Sequence, residues 1–258
     1  MTEAVHVEDR GAVRWITLDR PETRNALSPD VLAAAVGAVQ SAGDARVIVL
    51  RGANGAFCSG ADLRHAMANA QELMSDVDAH LGRFQALVRA VLAAPQPVIA
   101  SVDGAAYGFG ADLALACDLR VISSRAYFQE GFVRIGLIPD GGGTWMLPRL
   151  VGLSKAMELA MLGERVDAAT AERLGLAAKV VAPEELEAVT TAMAERLASG
   201  PPMALQRIKR LMREGMAKSF SEAFGDEGQA QLECLRSEDF IEGVMAFFEK
   251  RPADFKGR

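Results

Sequence analysis

The sequence predicts an α/β protein that ends in a helical tail. Three observations carry that prediction. Short apolar runs rich in Val and Ile alternate with stretches whose apolar residues recur at helical spacing. Three glycine-rich turns, 57–62, 104–112 and 136–143, punctuate the chain, and the first two each follow a β-branched apolar run. The last third holds six helix-like stretches and only one short strand.

The elements can be justified in order. Val13-Arg14-Trp15-Ile16-Thr17-Leu18 alternates and predicts a strand. Ser28-Pro29 has the form of an N-cap followed by proline at the first helical position. Val31, Leu32, Ala35, Val36 and Val39 then mark one face of a helix. Val47-Ile48-Val49-Leu50 is a short buried strand ending at Arg51-Gly52. A long helix carries the stripe Val77, Leu81, Phe84, Leu87, Val88 and Val91, and Pro95 and Pro97 end it. Val98 to Val102 predicts a strand, Leu113 to Cys117 a short helix, and Leu119 to Ile122 another strand. Helices are then expected over 154–162, 168–174, 184–198, 203–216, 221–236 and 240–250, with a strand at 179–181. Ser199-Gly200-Pro201-Pro202 is the natural joint, which divides the chain into a core, 1–198, and a helical C-terminal region, 199–258.

Composition excludes several classes. The chain has 258 residues and a net charge of −6, which invites neither nucleic acid nor an anionic membrane. Cys58, Cys117 and Cys234 are few, odd in number and scattered, as free thiols in a reducing compartment would be. Met1 to Val13 shows no apolar signal segment, and no apolar stretch is long enough to span a bilayer, so a cytoplasmic protein is expected. His6, His65 and His80 lack metal-ligand spacing, and no metal is expected.

The turns carry chemistry. Gly60 permits a positive φ, and the N–H of Ala61 is left free at the start of a helix. Gly108 and Gly110 let backbone approach a ligand, with the N–H of Phe109 between them. Two such turns facing each other would form an oxyanion hole. Gly108-x-Gly110 lacks the third glycine of a dinucleotide fingerprint. Asp112 reads either as a carboxylate stabilising a helix N-terminus or as a catalytic group. Asp140, after Pro139 and before three glycines, reads either as a turn or N-cap aspartate or as a general base. Phe57, Tyr107, Phe109, Phe128, Phe132 and Trp145 could line an apolar pocket or fill the core. Cys58 has no His near it in sequence to make it a nucleophile. Lys250, Arg251 and Lys256 read as a solvated face or as partners for phosphates.

These motifs together resemble the enoyl-CoA hydratase/isomerase, or crotonase, superfamily. The resemblance runs from Arg20-Pro21-Glu22-Thr23-Arg24-Asn25-Ala26-Leu27 through Ala56-Phe57-Cys58-Ser59-Gly60-Ala61-Asp62-Leu63 and Pro97-Val98-Ile99-Ala100. It continues through the second turn and Leu147-Pro148-Arg149 to the segment Phe247 to Phe255. It implies a spiral of ββα units, with a helical C-terminal region that assembles trimers or hexamers. It implies an acyl-CoA thioester as substrate, with coenzyme A part of that substrate and no permanently bound cofactor. The two oxyanion donors fall on Ala61 and Phe109. Acyl-CoA-binding positions fall on Arg24, Ala26, Ser59, Gly60, Asp62, Leu63, Gly108, Phe132, Phe255 and Lys256.

The catalytic pattern departs from that of the hydratases in the superfamily. Their two glutamates fall on Asp112, one methylene shorter, and on Phe132, which cannot move a proton. Asp140 matches the acidic position of several enoyl-CoA and dienoyl-CoA isomerases, and the stretch 132–140 resembles that of ring-epoxide isomerases of phenylacetyl-CoA breakdown. The resemblance therefore favours double-bond or ring isomerisation by Asp140 and Asp112. Enoyl-CoA hydration and a non-catalytic acyl-CoA-binding scaffold remain the alternatives.

Overall fold

A computed structural model describes residues 4–258; the first three residues of the N-terminal stretch read above lie outside it. The chain runs β1 (Val5–Arg10), β2 (Val13–Leu18), α1 (Pro29–Gln40) and β3 (Val47–Gly52). It continues with α2 (Leu63–Ala68), α3 (Ala70–Ser75), α4 (Val77–Ala93), β4 (Val98–Val102), β5 (Ala105–Tyr107) and α5 (Phe109–Ala116). Then come β6 (Leu119–Ser123), β7 (Tyr127–Gln129), a 3-10 turn over Gly131–Ile135, α6 (Gly143–Val151) and α7 (Leu153–Leu162). The remainder is β8 (Arg165–Asp167), α8 (Ala168–Arg173), β9 (Lys179–Val181), α9 (Leu186–Ala198), α10 (Pro202–Gly215), α11 (Phe220–Leu235) and α12 (Glu238–Glu249).

Six strands form one sheet in the order β1-β2-β3-β4-β6-β9, and β5, β7 and β8 form a second. Only the β1–β2 pairing of the large sheet is antiparallel. Alternation along β3 explains how the sheet is sandwiched. Ile48 and Leu50 face the main core with Leu87, Val91 and Leu113, whereas Val47 and Val49 join Trp15, Ile99 and Val121 beneath α9. A parallel strand buried on both faces needs apolar residues at every position, and that is why β3 reads as an unbroken apolar run.

The small sheet positions the site. β5 lies within the second turn and pairs in parallel with β7, so Ala106 lies opposite Phe128. Cys58 also bridges Ala106, which brings the first glycine-rich turn beside the second. Asn25 ties the rim of this region together: its Nδ2 donates to the Ala53 and Ala56 carbonyls at 3.0 and 2.7 Å. It also holds a left-handed backbone with φ of 60°, which asparagine tolerates.

Several elements differ from the sequence expectation. β1 is largely solvent-facing, so Val-His-Val-Glu-Asp-Arg shows no apolar alternation to mark it. β5, β7 and β8 are three residues each, too short for periodicity to register. The helix after the second turn begins at Phe109 rather than Leu113, and two short helices precede α4. The glycine-rich third turn continues into α6, with Gly142, not Asp140, at its N-cap.

After Ser199 the chain is helical to residue 249 apart from short connections. α10 docks on the α/β core through Asp118, which accepts from Lys209 Nζ at 2.9 Å and from Arg213 Nη2 at 2.6 Å. α11 and α12 expose Phe220, Phe224, Phe247 and Phe248, the last two at 78% and 77%. Among the described residues, no helix is long and apolar enough to cross a membrane.

Candidate active site

The first two glycine-rich turns meet at the mouth of a cavity of about 420 Å³. Gly60 adopts a φ of +86°, and a Cβ there would lie 3.3 Å from Phe109 N and 2.8 Å from the Tyr107 carbonyl oxygen. Gly110 sits so close to Cys58 that any Cβ would run into the Cys58 carbonyl oxygen. The two turns therefore touch backbone to backbone, which only glycine permits. Phe109 N is the first amide of α5 and has no intrahelical acceptor. Among the described residues, neither the Ala61 nor the Phe109 N–H finds another acceptor.

The cavity wall is apolar. Phe84, Phe109, Phe132, Ile135, Leu137 and Ile138 supply most of it, and Phe84 meets Phe109 edge to face at 4.9 Å. Ala66, Leu73 and Val77 close it from the segment 63–77. His80 also lines it; burial first, then the nearby Arg83 and His65 charges, lower its pKa. Of the aromatics singled out in the sequence, Tyr107, Phe109 and Phe132 reach the cavity. Phe57 and Phe128 are core, and Trp145 lies elsewhere under Arg149.

Asp140 is half-buried on the cavity wall and, among the described residues, is the one carboxylate there. Burial raises its pKa above the ordinary 3.8. Asp112 is fully buried and does not reach the cavity wall. Its Oδ2 accepts the Gly141 N–H at 2.8 Å, so it holds the loop that carries Asp140. Gly141 and Gly143 press on it so closely that a Cβ at either would collide with its carboxyl group. Asp112 also lies in the first turn of α5, as the helix N-terminus reading expects, so the one carboxylate faces its own helix start and the neighbouring loop.

Sequence reasoning missed Glu130. It follows β7 and is 4% exposed, and neither of its carboxyl oxygens has a hydrogen-bond partner. A carboxylate inside the stretch Phe128-Gln129-Glu130-Gly131-Phe132, otherwise headed for the core, was the available signal. Cys58 is fully buried, which pushes its thiol up to about 12 and keeps it a neutral, inert group.

The other expected binding residues divide. Ser59, Gly60, Ala61, Leu63, Gly108, Phe109 and Phe132 line the cavity. Arg24 is exposed beside it, its carbonyl accepting the Ser59 N–H at 3.0 Å. Ala26 is buried and its carbonyl accepts from Arg20. Asp62 is committed to structure: it caps α2 through His65 N at 3.0 Å and pairs with Arg20 Nη1 at 2.9 Å. Phe255 and Lys256 are not brought to this cavity within one chain. Phe255 packs against Gly243 on α12, and the Lys256 N–H donates to Asp239.

Burial of Asp112 has a measurable consequence. Burial is the largest cause that raises its pKa to about 7 from 3.8, opposed by the Gly141 N–H and reinforced by the Asp140 charge. The folded chain thus binds a proton there that the unfolded chain releases. The stability from this group is complete below 3.8 and is lost as pH rises through about 7. Asp112→Asn keeps an oxygen for the Gly141 N–H and carries no charge. It is expected to be more stable than the parent by roughly 1–3 kcal/mol at about pH 8, with the gap closing towards about pH 4. Urea denaturation at both pH values checks this, and a gap that widens on acidification would contradict it.

Two mostly parallel sheets, with two glycine-rich turns converging on an apolar cavity of ligand size, define an α/β protein that takes a largely apolar ligand. The chain belongs to the enoyl-CoA hydratase/isomerase family, whose sequence profile matches residues 8–258. It is 42% identical over 244 residues to a probable enoyl-CoA hydratase of Rhodobacter capsulatus, covering 94% of each chain. It is 36% identical over 257 residues to the 1,2-epoxyphenylacetyl-CoA isomerase of Escherichia coli, covering 98% of this chain and 97% of that one. The crystal structure of an enoyl-CoA hydratase from Polaromonas sp. JS666 superposes with a TM-score of 0.93 at 35% identity, over 98% of this chain and 99% of that one. The chain is accordingly an acyl-CoA enzyme of the crotonase fold.

Proposed function

We propose that this enzyme isomerises its acyl-CoA thioester by moving a proton between carbons. The observation that carries the reading is that, among the described residues, one carboxylate stands on the cavity wall: Asp140 lines the space, and Phe132 stands where a second acid is expected in a hydratase. Adding water across an enoyl thioester calls on two carboxylates to orient and split it. Moving a double bond, or rearranging a ring, needs one base that takes a proton and returns it elsewhere.

In this reading the thioester oxygen docks between the N–H groups of Ala61 and Phe109. Asp140 removes an acidic carbon proton, and the electron pair moves onto the thioester oxygen as an enolate. The two donors stabilise that charge, each by roughly 3–4 kcal/mol at most. The proton then returns to a different carbon, and atoms and charge balance without a co-reactant. Burial makes Asp140 more basic than an aspartate in water, which suits the step. Asp112 holds the Asp140 loop at Gly141. Arg24 beside the mouth meets the phosphates of coenzyme A. The exposed aromatics of α11 and α12 pack between copies in a trimer or hexamer, where Phe255 and Lys256 serve a neighbouring copy's cavity.

Hydration is the second reading, favoured by the name of the Rhodobacter capsulatus relative. Incubation with enoyl-, dienoyl- and phenylacetyl-derived CoA thioesters in heavy water, with products read by mass spectrometry, separates the two. Isomerisation returns the starting mass apart from deuterium exchange. A product heavier by one water, formed faster than any isomer, would overturn the isomerase reading. A thioester that binds and is never converted across the panel would favour a scaffold.

A further inference from the structure

The wall of the active-site cavity changes character along α4. Val77, Leu81 and Phe84 lie at helical spacing and all line it. Burial deepens along that stripe, from Val77 at 49% exposed to Phe84 at 4%. Phe84 is the end that meets Phe109, whose N–H is one of the two free donors, at 4.9 Å between ring centroids. The stripe therefore leads from the donors outward. With a rise of about 1.5 Å per residue, Val77 lies roughly 10 Å along the helix axis from Phe84.

A second segment is open in the same way. Ile135, Leu137 and Ile138 line the cavity and are exposed, Ile138 at 74%. Their loop is held in place, because the Leu137 N–H donates to the Phe132 carbonyl at 3.0 Å. A side chain that borders a cavity and also meets solvent marks an opening, and here every such residue from the two segments is apolar. Apolar side chains gathered at the opening of a cavity are costly to hydrate and mark a surface that a ligand covers. The path to that opening is also free of cations. Among the described residues, no lysine or arginine lines the cavity. His80 does, and its pKa is lowered, first by burial and then by the Arg83 and His65 charges, which favours the neutral ring.

We propose that the acyl group of the substrate is a long, uncharged hydrocarbon chain whose tail leaves the cavity past Val77 and Ile138. An extended chain with bonds of about 1.5 Å needs roughly eight carbons to run from Phe84 to Val77, so the natural substrate is longer than that. A short acyl group would end among the buried rings and leave the outer rim bare. The proposal rests on the thioester docking at Ala61 and Phe109, and not on which reaction follows.

Saturated acyl-CoAs test this apart from the chemistry, because they can be neither isomerised by a double-bond shift nor hydrated. Calorimetric titration of the whole protein with butyryl-, hexanoyl-, octanoyl-, decanoyl- and dodecanoyl-CoA gives a Kd for each. Affinity is expected to rise about 2–4-fold per methylene and to keep rising beyond octanoyl-CoA. A plateau or decline from hexanoyl-CoA onward would overturn the proposal and leave the rim to a neighbouring copy. No binding at any length would remove the thioester from this cavity, a failure of the docking reading that a plateau does not imply.

Two further measurements bear on the route. Val77→Ser combined with Ile138→Ser alters exposed positions and is expected to weaken dodecanoyl-CoA binding about 3–10-fold, with a loss that shrinks as the chain shortens. An equal loss at every length would assign the rim to the coenzyme A portion and overturn the route. Adipoyl-CoA, which is hexanoyl-CoA with a carboxylate at its far end, is expected to bind at least about tenfold more weakly than hexanoyl-CoA. Equal binding of the two would contradict an uncharged tail.

Discussion

Asp140→Asn is expected to lower kcat for isomerisation by about 10²–10⁴-fold while leaving thioester binding close to that of the parent. The amide matches the carboxylate in shape but cannot take a proton from carbon. Its backbone is secured by neighbours that the change does not touch, because the Asp112 carboxylate holds Gly141 N at 2.8 Å. The thioester contacts expected from Ala61 and Phe109 are main-chain groups and survive as well. Kinetics on the best substrate from the CoA panel, with a direct binding measurement alongside, separates the two effects. Wild-type turnover in the Asn variant would remove Asp140 from the chemistry and revive a role for another group on the wall.

Gly110→Ala is expected to strike stability and activity together. Its new Cβ would meet the Cys58 carbonyl oxygen and lie 2.9 Å from Cys58 Cβ. That carbonyl already accepts the Tyr107 N–H at 2.9 Å, so it is pinned and cannot swing aside. The first and second turns must separate to accept the methyl group. Overpacking of this kind costs roughly 1–3 kcal/mol, and more where backbone has to move. The separation also pulls the Phe109 N–H, next in the chain, away from its partner donor. Losing one such donor is expected to lower kcat by about 10²–10³-fold. Urea midpoints and kcat read the two consequences independently. A variant that retained the parent's kcat would show that the closeness of the two turns is not what makes the site.

Much of this protein was legible residue by residue. β3 and β4 were visible because strands buried on both faces must be apolar throughout, as Val47 to Leu50 and Val98 to Val102 are. α4 was visible because one face of a long helix repeats on the core, with Phe84, Leu87, Val88 and Val91 buried. The glycine-rich turns stood out because a backbone that must approach another backbone admits no side chain. β5, β7 and β8 were not visible, since three residues hold too little pattern and their pairing partners lie far along the chain. Phe255 and Lys256 looked like binding residues by resemblance, yet one chain folds them against α12, away from its own cavity.

The division has a physical basis. Local backbone demands are written locally, so the sequence alone determined the α/β order, the family and the turns that bear the free N–H groups. Burial, by contrast, is a property of where distant segments land. Only the tertiary structure decided that Asp112 is sealed beneath the Asp140 loop and that Asp62 is consumed by a helix cap and an arginine. Only packing made Glu130, an ordinary glutamate on paper, a carboxyl group sealed from solvent with no protein hydrogen-bond partner among the described residues. What that burial costs follows from the energy of charge in a medium of low polarity, and no spacing of residues along a chain encodes it.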